Sequence, residues 1–397
     1  MKLLYTLTTY PPAIGGAQLH QHLLAQQLQH THNIQVLTHW NNNRTDWLLG
    51  TTLNAPSRSQ DYDIDKIPVH QIGISQQDKI KLSPYIPLYY PFMGFALPKI
   101  ANILETYIRL HAQDKDLIHN VRIGREGLSY ASYNTAKKLN IPFIFTPVHH
   151  PRWVGWRYRE YIKLYGLADA VIALTDTEKQ ILIQLGVRED RIHTTGHGPI
   201  LAPKANPGDF RRRYKIDEPI ILFLGQHYAY KGYQQLLQAT KEVWQKFPEA
   251  QFVFIGPPVK NSEKVFSEYN DPRIHRLGSV DLQTKTDALA ACTLLCVPSS
   301  QESFGGVYTE AWSFAKPVIG CPIPAVAEVI TGGVDGHLVP QDSKAISGAI
   351  CQLLEDTGLA RTMGKAGLEK VQRNFTWQRL AAKTEEIYLK TLEAKAL

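Results

Sequence analysis

The sequence predicts an α/β protein made of two doubly wound, parallel-sheet domains in tandem. Short runs rich in β-branched and aromatic residues recur along the chain, and stretches of helical length separate most of them. Strands that alternate with helices indicate βαβ units, whose right-handed crossovers cover both faces of a parallel sheet. With 397 residues, of which 44% are hydrophobic, the chain is long enough to bury two cores.

Two series of such runs mark the strands of the two sheets. The first series comprises residues 2–8, 33–38, 117–123, 142–148, 169–175 and 191–195, and the second comprises 220–225, 251–256, 293–298, 317–320 and 337–340. Glycines, prolines and three consecutive arginines interrupt the pattern between Gly198 and Asp217. The sequence therefore predicts an N-terminal domain over residues 1–200 and a C-terminal domain over residues 201–375.

The last segment, 376–397, has apolar residues three and four positions apart, which predicts an amphipathic helix. No strand follows it, so we expect it to return to the N-terminal domain and pack there. Ligands of open α/β sheets bind at the carboxyl ends of the strands. Two such domains facing each other would place the active site in a central cleft.

Composition indicates the compartment of the protein. No run of about 18 apolar residues predicts a transmembrane helix, and Met1 to Thr8 lacks the regions of a signal peptide, so we expect a cytoplasmic protein. The four cysteines lack the paired spacings of a zinc site. A net charge of +7 does not by itself distinguish nucleic acid, an anionic membrane or a phosphorylated substrate as partner.

Two aromatic segments allow more than one interpretation. Residues 83–98 hold four prolines and five Tyr or Phe residues, which argues against a long helix there. This segment is either a loop that covers the core or a mobile loop that contacts an acceptor or a membrane. Residues 152–161, which are both basic and aromatic, either pack as an amphipathic helix or hold an anionic lipid, a phosphate-bearing acceptor or a sugar ring.

The strongest candidate for a site follows the run 293–298. Pro298 and the pair Gly305–Gly306 make a single helix through Glu302 and Glu310 improbable, and a helix is predicted to start after the glycines. Glycines allow a ligand to approach closely, and the free N–H groups of a helix N-terminus suit a diphosphate. Carboxylates accept hydrogen bonds from sugar and ribose hydroxyls. Without further context, the two glutamates would equally suit solvated positions around a turn.

The context of these glutamates is a longer pattern. Its successive parts are Pro-Ser-x-x-Glu-x-Phe-Gly-x4-Glu-Ala, Lys-Pro-Val-Ile-Gly, Glu-Val-Ile and Gly-His-Leu-Val-Pro-Gln-Asp. This order resembles the donor-binding region of family 4 of the retaining GT-B glycosyltransferases, the glycosyl transferases of group 1. The resemblance implies that Glu302 contacts the transferred sugar and Glu310 the ribose of the nucleotide. It also implies that Phe304, Gly305 and Gly306 bind the donor around its diphosphate.

A second donor signature of that family resembles the residues from Phe223 to Ala239. Lys231 stands where the family has a lysine on the diphosphate, so the resemblance implies a catalytic role in which its ammonium neutralises the leaving nucleotide. Gln226 stands where the family commonly has an arginine. This departure leaves either a weaker diphosphate site or a substitute, such as His227 or Lys231 alone.

The resemblance extends to the N-terminal half. Gly15 and Gly16 follow the first run and resemble the family's Gly-Gly loop, which approaches the donor phosphate or the acceptor. His149 and His150 follow the run 142–148, where the family often places a catalytic histidine near the transferred sugar. The register does not decide between these two histidines.

The resemblance implies a retaining, metal-independent hexosyltransferase of GT-B fold. The enzyme would move a sugar from a UDP-, GDP- or ADP-sugar to a sugar, lipid or other hydroxyl acceptor. We expect no cofactor beyond this co-substrate, no nucleic-acid partner, and peripheral contact with the inner face of a membrane as an option. The alternative is a catalytically decayed GT-B protein that binds a sugar or lipid. No Gly-x-Gly-x-x-Gly or Gly-x4-Gly-Lys-Ser/Thr segment supports an oxidoreductase or an NTPase.

Overall fold

The structure is a computed structural model that describes residues 1–13, 15–42, 45–150, 153, 155–216, 219–259 and 261–396. The chain forms two compact units, one of residues 1–196 with 377–397 and one of residues 197–376. The units divide after Gly196, before the boundary at residue 200 that the sequence predicted. Arg152, part of the basic and aromatic segment, lies outside the described residues.

The N-terminal unit is built on an eight-stranded sheet of order β3-β4-β2-β1-β5-β6-β7-β8. Its strands are β1 (Lys2–Thr6), β2 (Asn33–Thr38), β3 (Gln60–Ile64), β4 (Ile67–Gln71), β5 (Leu117–Val121), β6 (Phe143–Thr146), β7 (Ala170–Ala173) and β8 (Ile192–Thr194). Its first six helices are α1 (Gly16–Leu28), α2 (Gln76–Leu82), α3 (Met93–Ala112), α4 (Glu126–Leu139), α5 (Arg159–Leu167) and α6 (Asp176–Gln184). The central strands are buried on both faces, as parallel strands covered by helices must be.

Two features of this unit differ from the sequence-based expectation. A hairpin of β3 and β4 extends the sheet, and β3 is antiparallel to β4. β3 is a largely exposed edge strand with three aspartate or glutamine residues, so it lacks the apolar signal of the other strands. The long helix α3 begins inside the segment 83–98, where none was expected. Pro98 lies in its second turn, so only one backbone hydrogen bond is lost, and the buried residues that follow stabilise the helix by packing.

The C-terminal unit is built on a six-stranded parallel sheet of order β11-β10-β9-β12-β13-β14. Its strands are β9 (Ile220–Leu224), β10 (Gln251–Ile255), β11 (Ile274–Gly278), β12 (Leu294–Cys296), β13 (Val318–Gly320) and β14 (Gly336–Leu338). Its helices are α7 (Pro207–Tyr214), α8 (Tyr233–Lys246), α9 (Ser262–Ser267), α10 (Leu282–Ala291), α11 (Gly306–Trp312), α12 (Pro324–Val329), α13 (Ser343–Glu355) and α14 (Thr357–Asn374). Sequence analysis missed β11, which is half-buried along its whole length.

Both sheets have a point at which the strand order reverses direction. In the N-terminal unit this switch point lies between β1 and β5, and in the C-terminal unit it lies between β9 and β12. Ligands of doubly wound folds bind outside the carboxyl ends of the strands at such a point. The loops that follow these four strands are therefore the places where a site is expected.

The last helix, α15 (Trp377–Ala396), belongs to the N-terminal unit. It packs on α1, where the ring of Trp377 lies 5.1 Å from that of His20. The buried Tyr388 hydroxyl lies 3.0 Å from the Tyr5 hydroxyl and 2.6 Å from Nδ1 of His119. Burial lowers the pKa of His119 to about 3, so its ring is neutral. Hydrogen bonds thus join the helix to β1 and β5 in the centre of the sheet.

Replacing Tyr388 with phenylalanine should lower the free energy of unfolding of the N-terminal unit by about 1–3 kcal/mol, because the buried groups of Tyr5 and His119 lose a shared partner. Hydrogen exchange of the β1 and β5 amides measures this loss. Leu389→Ala, on the exposed side of the same helix, is the control and should change it by less than about 0.5 kcal/mol. Equal effects of the two variants would contradict a structural role for the hydroxyl.

Candidate functional site

The loop after β9 is shaped by glycines. A Cβ atom on Gly256, after β10, would lie 2.0 Å from the carbonyl oxygen of Gly225, so the ends of these two strands approach closely. At the end of the loop, Gly232 has φ of +82° and leads into α8. A Cβ atom there would lie 2.5 Å from the carbonyl oxygen of Pro298, after β12. The two loops at the switch point of the C-terminal unit therefore pack against each other.

Lys231 and Glu302 form the ion pair that joins these loops. Lys231 Nζ lies 2.5 Å from Glu302 Oε1, and the two side chains are 19% and 11% exposed. Gln341 fixes the same loops, since its Nε2 donates to the carbonyl oxygens of Tyr230 at 2.8 Å and Pro298 at 2.7 Å. The predicted candidates Lys231 and Glu302 are therefore brought together, although 71 positions separate them in the sequence.

The glycines after Glu302 start helix α11, as the sequence predicted. Gly305 has φ of +85°, and a Cβ atom on it would lie 2.5 Å from the ring of Tyr308. A Cβ atom on Gly306 would lie 3.1 Å from the ring of His197. Both positions thus favour glycine for steric reasons. Glu302 lies in the loop before this helix, and Glu310 lies within the helix.

Glu310 forms a second ion pair, with Lys285 of α10. Its Oε1 lies 2.7 Å from Lys285 Nζ, and the carboxylate side chain is 6% exposed. Burial raises the pKa of Glu310, against the opposing effects of Lys285 and of the backbone N–H of Ile200. Sequence analysis missed Lys285, because nothing in the pattern around it distinguishes it from a solvated lysine on a helix.

The side chain of Phe304 has a packing role in this unit. It is 4% exposed, and its ring stacks on His197 at 5.7 Å and meets the ring of Phe375 edge-on at 5.4 Å. Burial lowers the pKa of His197 to about 4, so this ring is neutral. His197, which the sequence analysis did not single out, thus supports the loop that leads to Gly305.

Gln226 and His227 follow β9 with different exposures. Gln226 is exposed at the carboxyl end of the strand. His227 is fully buried among the rings of Phe223, Tyr233 and Phe266, and burial lowers its pKa to about 4. The neutral ring of His227 is therefore enclosed by aromatic side chains, which argues against His227 as the substitute for the missing arginine.

Gly15 ends the loop after β1, at the switch point of the N-terminal unit, and Gly16 is the first residue of α1. Gly15 is extended and precedes α1, and no side chain caps this helix start. A Cβ atom on Gly15 would lie 2.2 Å from Oε1 of Gln18, whereas Gly16 has open space around it. Gln18 in turn donates to Thr9 Oγ1 at 2.9 Å, which fixes the loop to the start of the helix.

His149 and His150 follow β6 in a constrained loop. Val148 has φ of +45°, a conformation that strains a β-branched residue. The backbone N–H of His149 donates to Glu178 Oε1 at 2.5 Å. His149 is 3% exposed, its Nδ1 lies 3.2 Å from the Tyr165 hydroxyl, and burial together with Arg122 lowers its pKa to about 4. His150 is half-buried against the ring of Trp153. The choice between the two as the residue near the sugar stays a prediction.

The two aromatic segments meet at the surface of the N-terminal unit. The ring of Trp156 lies 6.0 Å from that of Tyr90, and the side chains of Phe92, Phe95 and Trp156 are 62%, 55% and 52% exposed. Arg157 and Arg159 lie 5.7 and 5.8 Å from the centroid of the Trp156 ring. Within the described part of the chain, no helix is both long enough and apolar enough to cross a membrane.

Three Asp-x-Asp spacings occur in the N-terminal unit, at Asp61–Asp63, at Asp63–Asp65 and at Asp114–Asp116. Asp61 pairs with His70 at 2.7 Å, and Asp114 pairs with Lys115 at 3.0 Å, both with exposed carboxylates. Across the described residues, no group of three or more His, Cys, Asp or Glu side chains is placed to hold a metal ion. Metal independence itself stays a prediction.

Comparisons with known proteins agree with this arrangement. A family model described as "Glycosyl transferases group 1" matches residues 218–356, and one described as "Glycosyl transferase 4-like domain" matches residues 15–198. Among curated relatives, the D-inositol 3-phosphate glycosyltransferase of Kribbella flavida is 30% identical over 250 residues, which span 58% of this chain and 58% of that protein. The match thus covers little more than half the length of this relative.

Solved structures share the fold along almost the whole chain. The sucrose-phosphate synthase of Thermosynechococcus elongatus has a TM-score of 0.76 at 22% identity and covers 99% of each chain. HepE of Anabaena, solved in complex with UDP and glucose, has a TM-score of 0.71 at 20% identity and covers 97% of this chain and 98% of its own. The two α/β units therefore define a GT-B fold. Together with the two family models, they establish that this chain belongs to the group 1, family 4 glycosyltransferases.

Lys285→Met should destabilise the protein more at about pH 8 than at about pH 5, by up to about 3 kcal/mol at the higher pH. Without Lys285, the pKa of Glu310 rises further above its unfolded-state value. The folded chain then binds the proton more tightly than the unfolded chain, so the free energy of unfolding falls as the pH rises between the two values. Urea unfolding of the C-terminal unit at the two pH values measures the difference.

Lys246→Met is the matched control for this experiment, because its partner Glu355 is 52% exposed. This variant should leave the free energy of unfolding nearly unchanged at either pH, because solvent screens a pair of exposed charges. If Lys285→Met behaves like Lys246→Met, the buried pair does not stabilise the unit.

Proposed function

We propose that this protein is a retaining glycosyltransferase that moves a hexose from a nucleoside diphosphate sugar to a hydroxyl acceptor. The observation that carries the proposal is the Lys231–Glu302 pair, 2.5 Å apart, beside Gly305 and Gly306 at the β9/β12 switch point. The cation and the free backbone amides suit the diphosphate of a nucleotide sugar, and the carboxylate suits its sugar. All three groups lie at the edge of the sheet where the bond between sugar and diphosphate would break.

In the proposed reaction, negative charge develops on the diphosphate as the bond to the sugar breaks. The Lys231 ammonium carries three donors, so it can bind a phosphate oxygen while it keeps Glu302 as a partner. The backbone N–H groups near Gly305 and Gly306 add fixed dipoles, and together these groups stabilise the leaving nucleotide. Glu302 accepts hydrogen bonds from sugar hydroxyls and orients the ring. The proposal contains no covalent intermediate on Glu302, because its carboxylate is engaged by Lys231.

Glu310 is assigned to the ribose. One of its oxygens pairs with Lys285, and the helix α11 holds the carboxylate in a fixed position. A carboxylate held in this way can accept hydrogen bonds from both neighbouring ribose hydroxyls. Since His227 is enclosed, the proposal leaves the diphosphate to Lys231, the glycine amides and the exposed amide of Gln226.

The nucleotide of the donor is UDP, GDP or ADP. UDP is the first to test, because HepE, a protein of the same fold, was solved with UDP and glucose. In the N-terminal unit, the proposal assigns Gly15, Gly16 and one of His149 and His150 to donor or acceptor contacts. The acceptor is a carbohydrate or a lipid-linked hydroxyl, and the reaction needs neither a metal ion nor a cofactor besides the nucleotide sugar. A chelator should therefore leave the activity unchanged.

The alternative is a decayed protein that binds the sugar or lipid without turnover. Incubation with a panel of nucleotide sugars and no acceptor separates the two. Slow release of one nucleotide supports the enzyme, whereas binding without release supports the binding protein. With an acceptor present, the anomeric configuration of the product, determined by NMR, tests retention separately.

Lys231→Ala and Glu302→Gln should each lower donor turnover about 10²–10³-fold, because each removes a group that acts on the reacting sugar phosphate. Nucleotide release under saturating donor measures the effect, and circular dichroism reports the fold. Lys241→Ala, which removes an exposed lysine of α8, is the control and should retain full activity. Near-normal turnover in either test variant would refute its assigned role.

We further propose that the exposed aromatic surface formed by Phe92, Phe95 and Trp156 contacts an anionic membrane surface. The apolar rings suit the interface of a bilayer, and Arg157 and Arg159 beside Trp156 suit its negative charge.

Co-sedimentation with phosphatidylglycerol vesicles tests this contact. Replacing Phe92 and Phe95 with serine and Trp156 with alanine should reduce the bound fraction about fivefold. Leu110→Ser, at the other end of α3 and 76% exposed, is the matched control and should not change binding. Equal binding by the triple variant and the control would refute the membrane contact.

A further inference from the structure

Arg122 is a buried cation for which the proposed donor chemistry has no use. It is the first residue after β5, at the β1/β5 switch point of the N-terminal unit, and it is only 7% exposed. Its backbone N–H donates to the carbonyl oxygen of Thr146 at 2.9 Å, which fixes it beside the end of β6. A charge at this depth is costly unless a partner compensates it.

Two aromatic rings pack against the Arg122 guanidinium. Its central carbon lies 3.6 Å from the ring centroid of Trp153 and 3.9 Å from that of Tyr161. Contacts of this kind leave the N–H donors of the planar group, which point outward in its plane, to other partners. The rings also limit the directions from which a partner can approach.

Among the described residues, no side chain or carbonyl group accepts a hydrogen bond from the in-plane donors of Arg122. Within the described part of the chain, no hydrogen bond or ion pair engages the Arg122 side chain, and its Nε is buried without a partner. The buried carboxylates of this region have other partners. Glu126 accepts from the Tyr89 hydroxyl, and Glu160 pairs with Lys163 at 2.9 Å. Glu178 accepts the backbone N–H groups of Leu174 and His149. Burial raises the pKa of Glu126 to about 8, so near pH 7 it is mostly neutral and does not repel an anion.

Trp153 connects this arginine to the histidine loop. Its ring lies 6.4 Å from that of His149 and 5.6 Å from that of His150, on the side of the sheet where strand ends β5 and β6 meet. A ligand held by Arg122 would therefore lie next to His149 and His150, one of which the proposed function assigns to donor or acceptor contacts. Such a position suits the acceptor, which must bring a hydroxyl to the transferred sugar.

We propose that Arg122, between Trp153 and Tyr161, binds a phosphate ester of the acceptor, so that the acceptor is a phosphorylated sugar or the headgroup of a phospholipid. A guanidinium packed against aromatic rings still presents a flat pair of N–H donors, which matches two oxygens of a phosphate. That the bound molecule is the acceptor rests on the proposed function, but the existence of the anion site does not. The ester is a monoester in a sugar phosphate and a diester in a lipid headgroup.

NMR of the full chain tests the site without any turnover. The indole N–H resonance of Trp153, assigned with Trp153→Phe, is followed during titration with methyl phosphate, dimethyl phosphate and acetate at millimolar concentrations. A saturable shift with methyl phosphate identifies a monoester site, and a larger affinity for dimethyl phosphate identifies a headgroup site. No shift with either ester, or tighter binding of acetate, overturns the proposal. A phosphate bound only near Lys231 would leave this resonance in place.

Three variants give the test its controls. Arg122→Gln removes the charge and should weaken ester binding about tenfold, and Arg122→Lys, which keeps the charge but loses the planar donors, should weaken it less. Arg125→Gln, which removes a half-buried arginine whose Nε donates to the carbonyl oxygen of Asp46, should leave it unchanged. If Arg122→Gln does not fold, Arg122→Lys decides, and wild-type affinity in that variant overturns the assignment. Absence of donor hydrolysis by the wild type would count against the proposed function alone.

Discussion

Parallel backbone pairing is the constraint on which the candidate site depends. In the C-terminal unit, β9 pairs in parallel with β10 on one side and with β12 on the other, so the carboxyl ends of all three strands lie at one edge of the sheet. The chain leaves β9 and β12 in opposite directions at that edge, which opens space for a ligand. Lys231 and Glu302 come from these two loops, and only this pairing brings them within 2.5 Å of each other.

The two Lys–Glu pairs of the C-terminal unit differ in the freedom of their members. Lys231 lies in a 3₁₀ turn and Glu302 lies in a loop. Because neither residue is held in an α-helix or a strand, their side chains can exchange partners when a ligand binds. Lys285 and Glu310 lie on helices α10 and α11, and the carboxylate is almost fully enclosed. In the proposed function, the first pair responds to the negative charge that develops on the diphosphate, whereas the second pair holds the ribose, whose charge does not change.

The sequence predicted most of the fold and the central residues of the candidate donor site, because both depend on local signals. Buried parallel strands are continuous apolar runs, and the glycines before α11 mark a turn that other residues cannot adopt. Residues whose importance comes from distant packing could not be found in this way. In the sequence, Lys285 is an ordinary helical lysine, and only the structure shows Glu310 beside it. Likewise, Arg122 follows a predicted strand in the sequence, and only the structure shows that Trp153 packs on it. The burial of His227 was hidden in the same way, because the rings that enclose it come from separate elements of the unit.

The attachment of α15 to the N-terminal unit affects the order in which the chain can fold during synthesis. Residues 197–376 are continuous, so they can assemble as soon as the ribosome has released them. The strands β1 and β5 are made earlier, but Tyr5 and His119 have their Tyr388 partner only after residues 197–376 have been made. Until then, the surface of the nascent N-terminal unit that α15 covers is open to solvent or to a chaperone. The unit whose synthesis begins first therefore completes its packing only after the other unit has been made.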